Sequence, residues 1–124
     1  MLVGSLDRLL LGRPQTLLAA SRLRVATDLA AGLEYLHAPG AGLTPILHRD
    51  VKSSNVLLDA GLRARIADVG LARPHCGATM TAGVGTMGYI DPEYIETGEI
   101  SKKYFDIVVL GLAICEYKLD TELF

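Results

Sequence analysis

The chain has 124 residues, 50% of them apolar and 21% charged, with a formal net charge of −2, which fits one globular domain and excludes a disordered one. Lys and Arg are scattered rather than clustered, so there is no general pull toward nucleic acid or anionic membrane. The longest apolar run, Ile107 to Cys115, is about half of what a bilayer helix needs, and no signal-peptide pattern opens the chain, so no membrane segment is expected.

Taken from the N-terminus, Gly4-Ser5-Leu6-Asp7 running into Leu9-Leu10-Leu11 predicts a short helix capped by Ser5 or Asp7 and ending at Gly12. A longer helix follows. Leu18, Val25, Leu29, Leu33 and Leu36 fall on one face with Ala26 and Ala30 beside them, while Arg22, Arg24 and Asp28 point elsewhere. Pro39-Gly40 and Gly42 stop it. From Pro45 to Gly70 short apolar pieces alternate with polar clusters, and Asp59-Ala60-Gly61 between two of them reads as a hairpin turn. Residues 71 to 91 are rich in Gly and Thr without periodicity, a long loop. Residues 107 to 117 are apolar all round, as in a helix buried within a larger protein. Cys76 and Cys115 have no metal-ligand spacing and suit a reducing compartment, so a cytoplasmic location is expected.

The chemistry concentrates in His48-Arg49-Asp50-Val51-Lys52-Ser53-Ser54-Asn55. Asp50 is a carboxylate able to take a proton from an attacking hydroxyl, and Lys52 a cation able to neutralise a transferred phosphoryl group. Asn55 offers a neutral oxygen to a hard cation, and Asp68, before Gly70, a carboxylate projected from a sharp turn as a second ligand. Mg²⁺ usually takes one or two protein oxygens, the rest coming from water and phosphates. These are the minimal parts of a phosphoryl-transfer site. Each tripeptide alone is weak. The weight lies in the order: H-R-D-x-K-x-x-N, then Asp68-Val69-Gly70, then a Gly/Thr-rich loop, then Gly85-Thr86-Met87-Gly88-Tyr89-Ile90-Asp91-Pro92-Glu93-Tyr94.

In that ordered set the chain resembles the eukaryotic protein kinases, and among them the plant receptor-like Ser/Thr kinases. The likeness takes in Gly32-Leu33-Glu34-Tyr35-Leu36-His37, the stretch Val51 to Asp59, and Ser101 to Glu116 with Asp106 and Gly111 in register. It implies an α+β fold, the C-lobe part of a kinase domain over residues 1–124, mainly helical with short β-hairpins around the catalytic and metal-binding loops. It implies ATP and Mg²⁺ as cofactors in the complete domain, with transfer of the γ-phosphoryl to Ser or Thr of a protein substrate. It further implies that Asp50 is the catalytic base, that Lys52 contacts the transferred phosphoryl, and that Asn55 and Asp68 hold the metal. Thr86 is expected near Asp50, shaping the acceptor site, and Asp106 beneath the catalytic loop, bracing its backbone. Arg49 would pair with a phosphate on the activation loop, carried by Thr81 with Thr79 behind it; a solvated loop hydroxyl is the alternative for both threonines. His48 is expected to pack and hydrogen-bond as a brace rather than to shuttle protons.

Three departures accompany the resemblance. Val69 stands where the family usually has Phe, which should loosen packing of the metal-binding turn. Nothing in the chain resembles a glycine-rich loop followed by a strand Lys and its helix Glu, so no N-lobe residues for ATP are present and the isolated chain is expected to be inactive. Past the buried helix the match thins, leaving Glu93 without its usual arginine. Two readings stay open at this level. One is part of a receptor-like Ser/Thr kinase whose parent works at the cytoplasmic face of the plasma membrane. The other is a truncated binding module that engages a protein substrate or a full-length kinase and interferes with it.

Overall fold

The apolar stripe of the long helix seeds the core. A computed structural model describes residues 1–12, 19–38 and 40–75, together with Thr86, Glu96 and Asp106. Chain order is β1 (Leu2–Ser5), α1 (Leu6–Gly12), α2 (Ala19–His37), β2 (Ile46–Leu47), a 3-10 turn (Ser53–Asn55), β3 (Val56–Asp59), β4 (Ala64–Ile66), a second 3-10 turn (Val69–Leu71) and β5 (Arg73–Pro74). The architecture is α+β, as the sequence implied. Leu18, both cysteines, Thr79, Thr81, Glu93, and the helix expected at 107–117 lie outside the described residues.

Val25, Leu29 and Leu33, four residues apart on α2, are buried together with Leu6 of α1, Leu47, Val51, Val56, Leu58 and Ala64. Leu9, Leu36, Leu62 and Ile66 pack against that cluster. Spacing of three and four places side chains on one face of a helix, so the stripe meets the sheet as a continuous apolar surface. Ala30, expected beside the stripe, is exposed instead. The helix ends at His37, and the chain leaves through Gly40 (φ 97°) and Gly42 (φ 81°), a backbone that L side chains rarely adopt.

β3 and β4 form the hairpin foreseen at Asp59-Ala60-Gly61, in the register Val56↔Ile66, Leu57↔Arg65, Leu58↔Ala64. At its tip the left-handed position is taken by Leu62 (φ 58°). The Asp59 carboxylate imposes this, because Oδ1 accepts from the backbone N–H of Gly61 at 2.9 Å and of Arg63 at 3.0 Å. Packing of Leu62 on the core offsets part of the conformational cost.

Strand β1 was not foreseen. It pairs antiparallel with β3 to give a sheet of order β1-β3-β4, with a shift in register between Leu2 and Gly4, where Gly4 takes φ 151°. Four residues with Leu2 and Val3 both exposed carry no alternation to read, and only the partner strand makes them extended. β2 and β5 pair as a second small sheet, Ile46↔Pro74 and Leu47↔Arg73. That pairing brackets the segment from His48 to Ala72, which holds both the catalytic-loop motif and the Asp68 turn. Among the described residues, no helix is long and apolar enough to cross a membrane.

Candidate active site

The loop after β2 turns sharply at Arg49, which adopts φ 70°. Asp106, fully buried, holds this turn from its far side. Its Oδ2 accepts from the His48 backbone N–H at 2.8 Å and its Oδ1 from the Arg49 N–H at 2.9 Å. His37, at the end of α2, donates to the same Oδ2 from Nε2 at 2.8 Å. One carboxylate thus satisfies two buried backbone donors and anchors them to α2. His37 was not singled out from the sequence. The signal was there, since it continues the four-residue spacing of Val25, Leu29 and Leu33, and a polar group on a buried stripe requires a partner.

His48 is buried and used at both ring nitrogens. Nε2 lies 3.0 Å from the Ala67 carbonyl and therefore carries the proton, while Nδ1 accepts from the Asp50 backbone N–H at 3.3 Å. The ring joins the catalytic loop to the strand leading to Asp68. A nitrogen already committed on each side leaves no free lone pair for shuttling.

Asp50 then presents a buried carboxylate toward Lys52, Asn55 and Thr86. Thr86 Oγ1 donates to Oδ1 at 2.7 Å. Lys52 Nζ lies 2.9 Å from Oδ2 and donates to Thr86 Oγ1 at 2.8 Å. Asn55 Nδ2 donates to Oδ2 at 3.1 Å and to the Asp50 carbonyl at 2.9 Å. Burial by itself raises the Asp50 pKa. The hydrogen bonds from Thr86 and Lys52, the Lys52 charge and the Asn55 bond outweigh it and hold the carboxyl below the ordinary range. A carboxylate offers about four acceptor positions, and three are filled here, leaving one on Oδ1 for an incoming hydroxyl.

Asp28 is held low as well, first by the Ala64 backbone N–H and then by Arg63. Groups with depressed folded-state pKa values contribute stability that is present above the unfolded value, about 4, and lost as pH falls through the folded one. The urea midpoint of the chain should therefore hold between pH 7 and about 5 and drop below about pH 4. A midpoint that is flat down to pH 3 would contradict the ionised state of both carboxylates.

Asn55 and Asp68 flank the two ends of the hairpin. The Ala67 N–H donates to the Asn55 carbonyl at 2.8 Å, closing the hairpin base one residue before Asp68. Asp68 sits in the left-handed region, φ 61° and ψ 75°, and its Oδ1 accepts from the Gly70 N–H at 3.2 Å. Its carboxylate is exposed, and Val69 beside it is 64% exposed. Both Asn55 contacts to Asp50 use Nδ2, so its Oδ1 takes no part in them. One amide oxygen and one carboxylate suit a hard cation that keeps several waters, and among the described residues no richer cluster of acidic, His or Cys ligands exists. The donor set therefore fits Mg²⁺.

Arg49 is buried, and its Nε has no hydrogen-bond partner. Asp50, Lys52, Asn55 and Thr86 form one cluster, with His48 and Asp106 behind it and Asp68 at the hairpin base beside Asn55. Thr79, Thr81 and Glu93, expected around the same loop, fall outside the described residues.

A family model described as the protein kinase domain matches residues 1–124. The chain is 44% identical to calcium/calmodulin-regulated receptor-like kinase 2 of Arabidopsis thaliana over 91% of its own length and 26% of that protein. It is 44% identical to the LRR receptor-like serine/threonine-protein kinase ERECTA over 91% of its length and 12% of that protein, also from Arabidopsis thaliana. A further receptor-like serine/threonine-protein kinase of the same plant is 42% identical over 98% of the chain and 35% of that protein. The chain thus spans about a third or less of the relatives it matches. A match running the whole length, through the loop where Asp50, Lys52 and Asn55 converge, places the chain in the protein kinase domain family.

Proposed function

We propose that residues 1–124 are the part of a receptor-like Ser/Thr kinase domain running from near the hinge to the buried helix after the activation segment. Its reaction is transfer of the ATP γ-phosphoryl to a Ser or Thr hydroxyl of a protein substrate. The observation that carries this reading is the Asp50 carboxylate, held between Lys52 and Thr86 with one acceptor position open. Relatives that are full receptor-like kinases favour it over an interfering binding module.

In this reading the incoming hydroxyl donates to the free position on Asp50 Oδ1. A carboxyl held below its ordinary pKa is a weak base, so Asp50 acts mainly by aiming the hydroxyl and takes its proton late. That suits a loose phosphoryl-transfer transition state, where positioning and charge stabilisation outweigh proton transfer. Lys52 neutralises charge on the transferred group, and Thr86 fixes both side chains. Asn55 Oδ1 and Asp68 would hold Mg²⁺, which supplies neutralisation of the phosphate oxygens. Arg49 receives a phosphate on the activation loop, for which Thr81 and then Thr79 are the candidates. The kinase domain would lie at the cytoplasmic face of the plasma membrane.

The test begins with the native product, detected by an antibody against Val51–Arg65. The immunoprecipitated protein is then supplied with radiolabelled ATP, Mg²⁺ and peptides bearing Ser, Thr or Tyr. A product well above 13.3 kDa that labels Ser or Thr but not Tyr is the expected result. A stable product near 13.3 kDa with no transfer would overturn the catalytic reading and return the binding module to first place.

A further inference from the structure

Outside the cluster around Asp50, a second carboxylate on α2 makes a denser set of bonds than its place on a polar face suggests. Asp28 grips the tip of the β3–β4 hairpin. Arg63 Nη2 donates to its Oδ1 at 2.8 Å, Arg63 Nε to its Oδ2 at 2.9 Å, and the Ala64 backbone N–H to Oδ2 at 3.0 Å. The Asp28 side chain is only 11% exposed, whereas Arg63 is 62% exposed. Two parallel bonds from a guanidinium fix direction as well as distance, and the backbone bond fixes the strand itself.

The same helix carries the other anchor. Nine residues further along α2, about 13 Å at the helical rise, His37 holds Asp106, and Asp106 holds the backbone at His48 and Arg49. The hairpin gripped at Asp28 starts next to Asn55 and ends next to Asp68, its base closed by the bond from Ala67 N–H to the Asn55 carbonyl. β4 is an edge strand of its sheet, and among the described elements α2 is its main support besides β3.

We propose that the Asp28–Arg63 clasp is a positioning device: it registers the hairpin on α2 and so sets where Asn55 and Asp68 stand relative to Asp50. Neither residue touches the reacting atoms. This inference rests on the cation-site reading of Asn55 and Asp68 given above. An exposed ion pair adds little to global stability. The expected signature is therefore a split, with a small effect on unfolding and a large one on the site.

The probe is Mn²⁺ alone, a hard cation of the same ligand preference as Mg²⁺. It is titrated into the full chain and read by paramagnetic broadening of the Asn55 side-chain amide, alongside urea unfolding. Asp28→Ala and Arg63→Ala should each raise the apparent Mn²⁺ dissociation constant about five-fold or more, with Arg63→Lys between them and wild type, while the urea midpoint of Arg63→Ala stays close to wild type and that of Asp28→Ala falls modestly as the Ala64 N–H loses its acceptor. Wild-type affinity in both alanine variants overturns the proposal. Should Asp28→Ala fail to fold, Asp28→Asn, which still accepts from Ala64, carries the same test. If wild type itself gives no broadening at Asn55, the cation reading falls, and the clasp is judged by amide exchange. Exchange at Ala67 should then quicken about ten-fold in Arg63→Ala while Arg49 N–H stays protected, and an unchanged Ala67 rate overturns the clasp.

Discussion

Replacing Asp50 by Asn should lower phosphoryl transfer by about a thousand-fold, the usual scale for losing a positioned base, and leave the fold intact. Asn keeps the shape of the side chain and one oxygen, which can still accept from Thr86. It loses the charge opposite Lys52 and the second acceptor oxygen, on which Lys52 and Asn55 converge. Burial already works against the Asp50 charge, so removing that charge relieves a penalty as it breaks an ion pair. The two effects oppose, and the urea midpoint should move by no more than about 1 kcal/mol equivalent. The measurement pairs kcat for a Ser or Thr peptide, in the kinase domain that carries this sequence, with unfolding of the same variant. Activity retained within ten-fold would sink the base assignment. Activity lost together with the fold would mean that Asp50 is structural.

Asp106→Ala should do the reverse and strike stability first. The substitution orphans the backbone N–H groups of His48 and Arg49 and the Nε2–H of His37, all of them buried. Each unsatisfied buried donor costs about 1–3 kcal/mol, so the three together reach roughly 3–9 kcal/mol against a total stability of about 5–15 kcal/mol for a typical domain. Urea unfolding followed by circular dichroism should show a midpoint lowered by a large fraction, or no folded baseline at all. His37→Ala, which frees one side-chain bond and leaves both backbone donors paired, should cost clearly less. Equal effects from the two variants would show that the His37 contact, not the backbone grip, dominates at Asp106.

What could be read from the sequence and what could not divide along physical lines. The α2 stripe and the β3–β4 hairpin were legible because their signals are local, a spacing of three and four in one case and a turn triplet between apolar pieces in the other. Asp50, Lys52 and Asn55 were legible as a group because five residues of chain keep them close. Thr86 and Asp106 lie 36 and 56 residues beyond Asp50, and only resemblance to a family could place them beside it. β1 was missed because its extended form comes from pairing with β3. Asp28 lies off the apolar stripe as the spacing implies, but its partners, Arg63 and the Ala64 N–H, lie 35 and 36 residues away and leave no local signal. The left-handed backbone at Leu62 had no signal in the sequence, since no propensity scale anticipates an Asp side chain that dictates the turn.

Three residues other than glycine have positive φ among those described, Arg49, Leu62 and Asp68, and two of the three belong to the candidate site. Each such residue carries a conformational penalty of about 1–2 kcal/mol that glycine would not. Random substitution and selection for thermal tolerance alone would therefore favour Gly at 49 and 68, sites where it would erase the guanidinium and the carboxylate proposed above to meet an anion and a cation. Among copies of this chain freed from the need to act, those two positions should drift first toward flexible residues, whereas Leu62, which also packs against the core, should persist. Substitution patterns in decaying copies would then separate loss of chemistry from loss of fold.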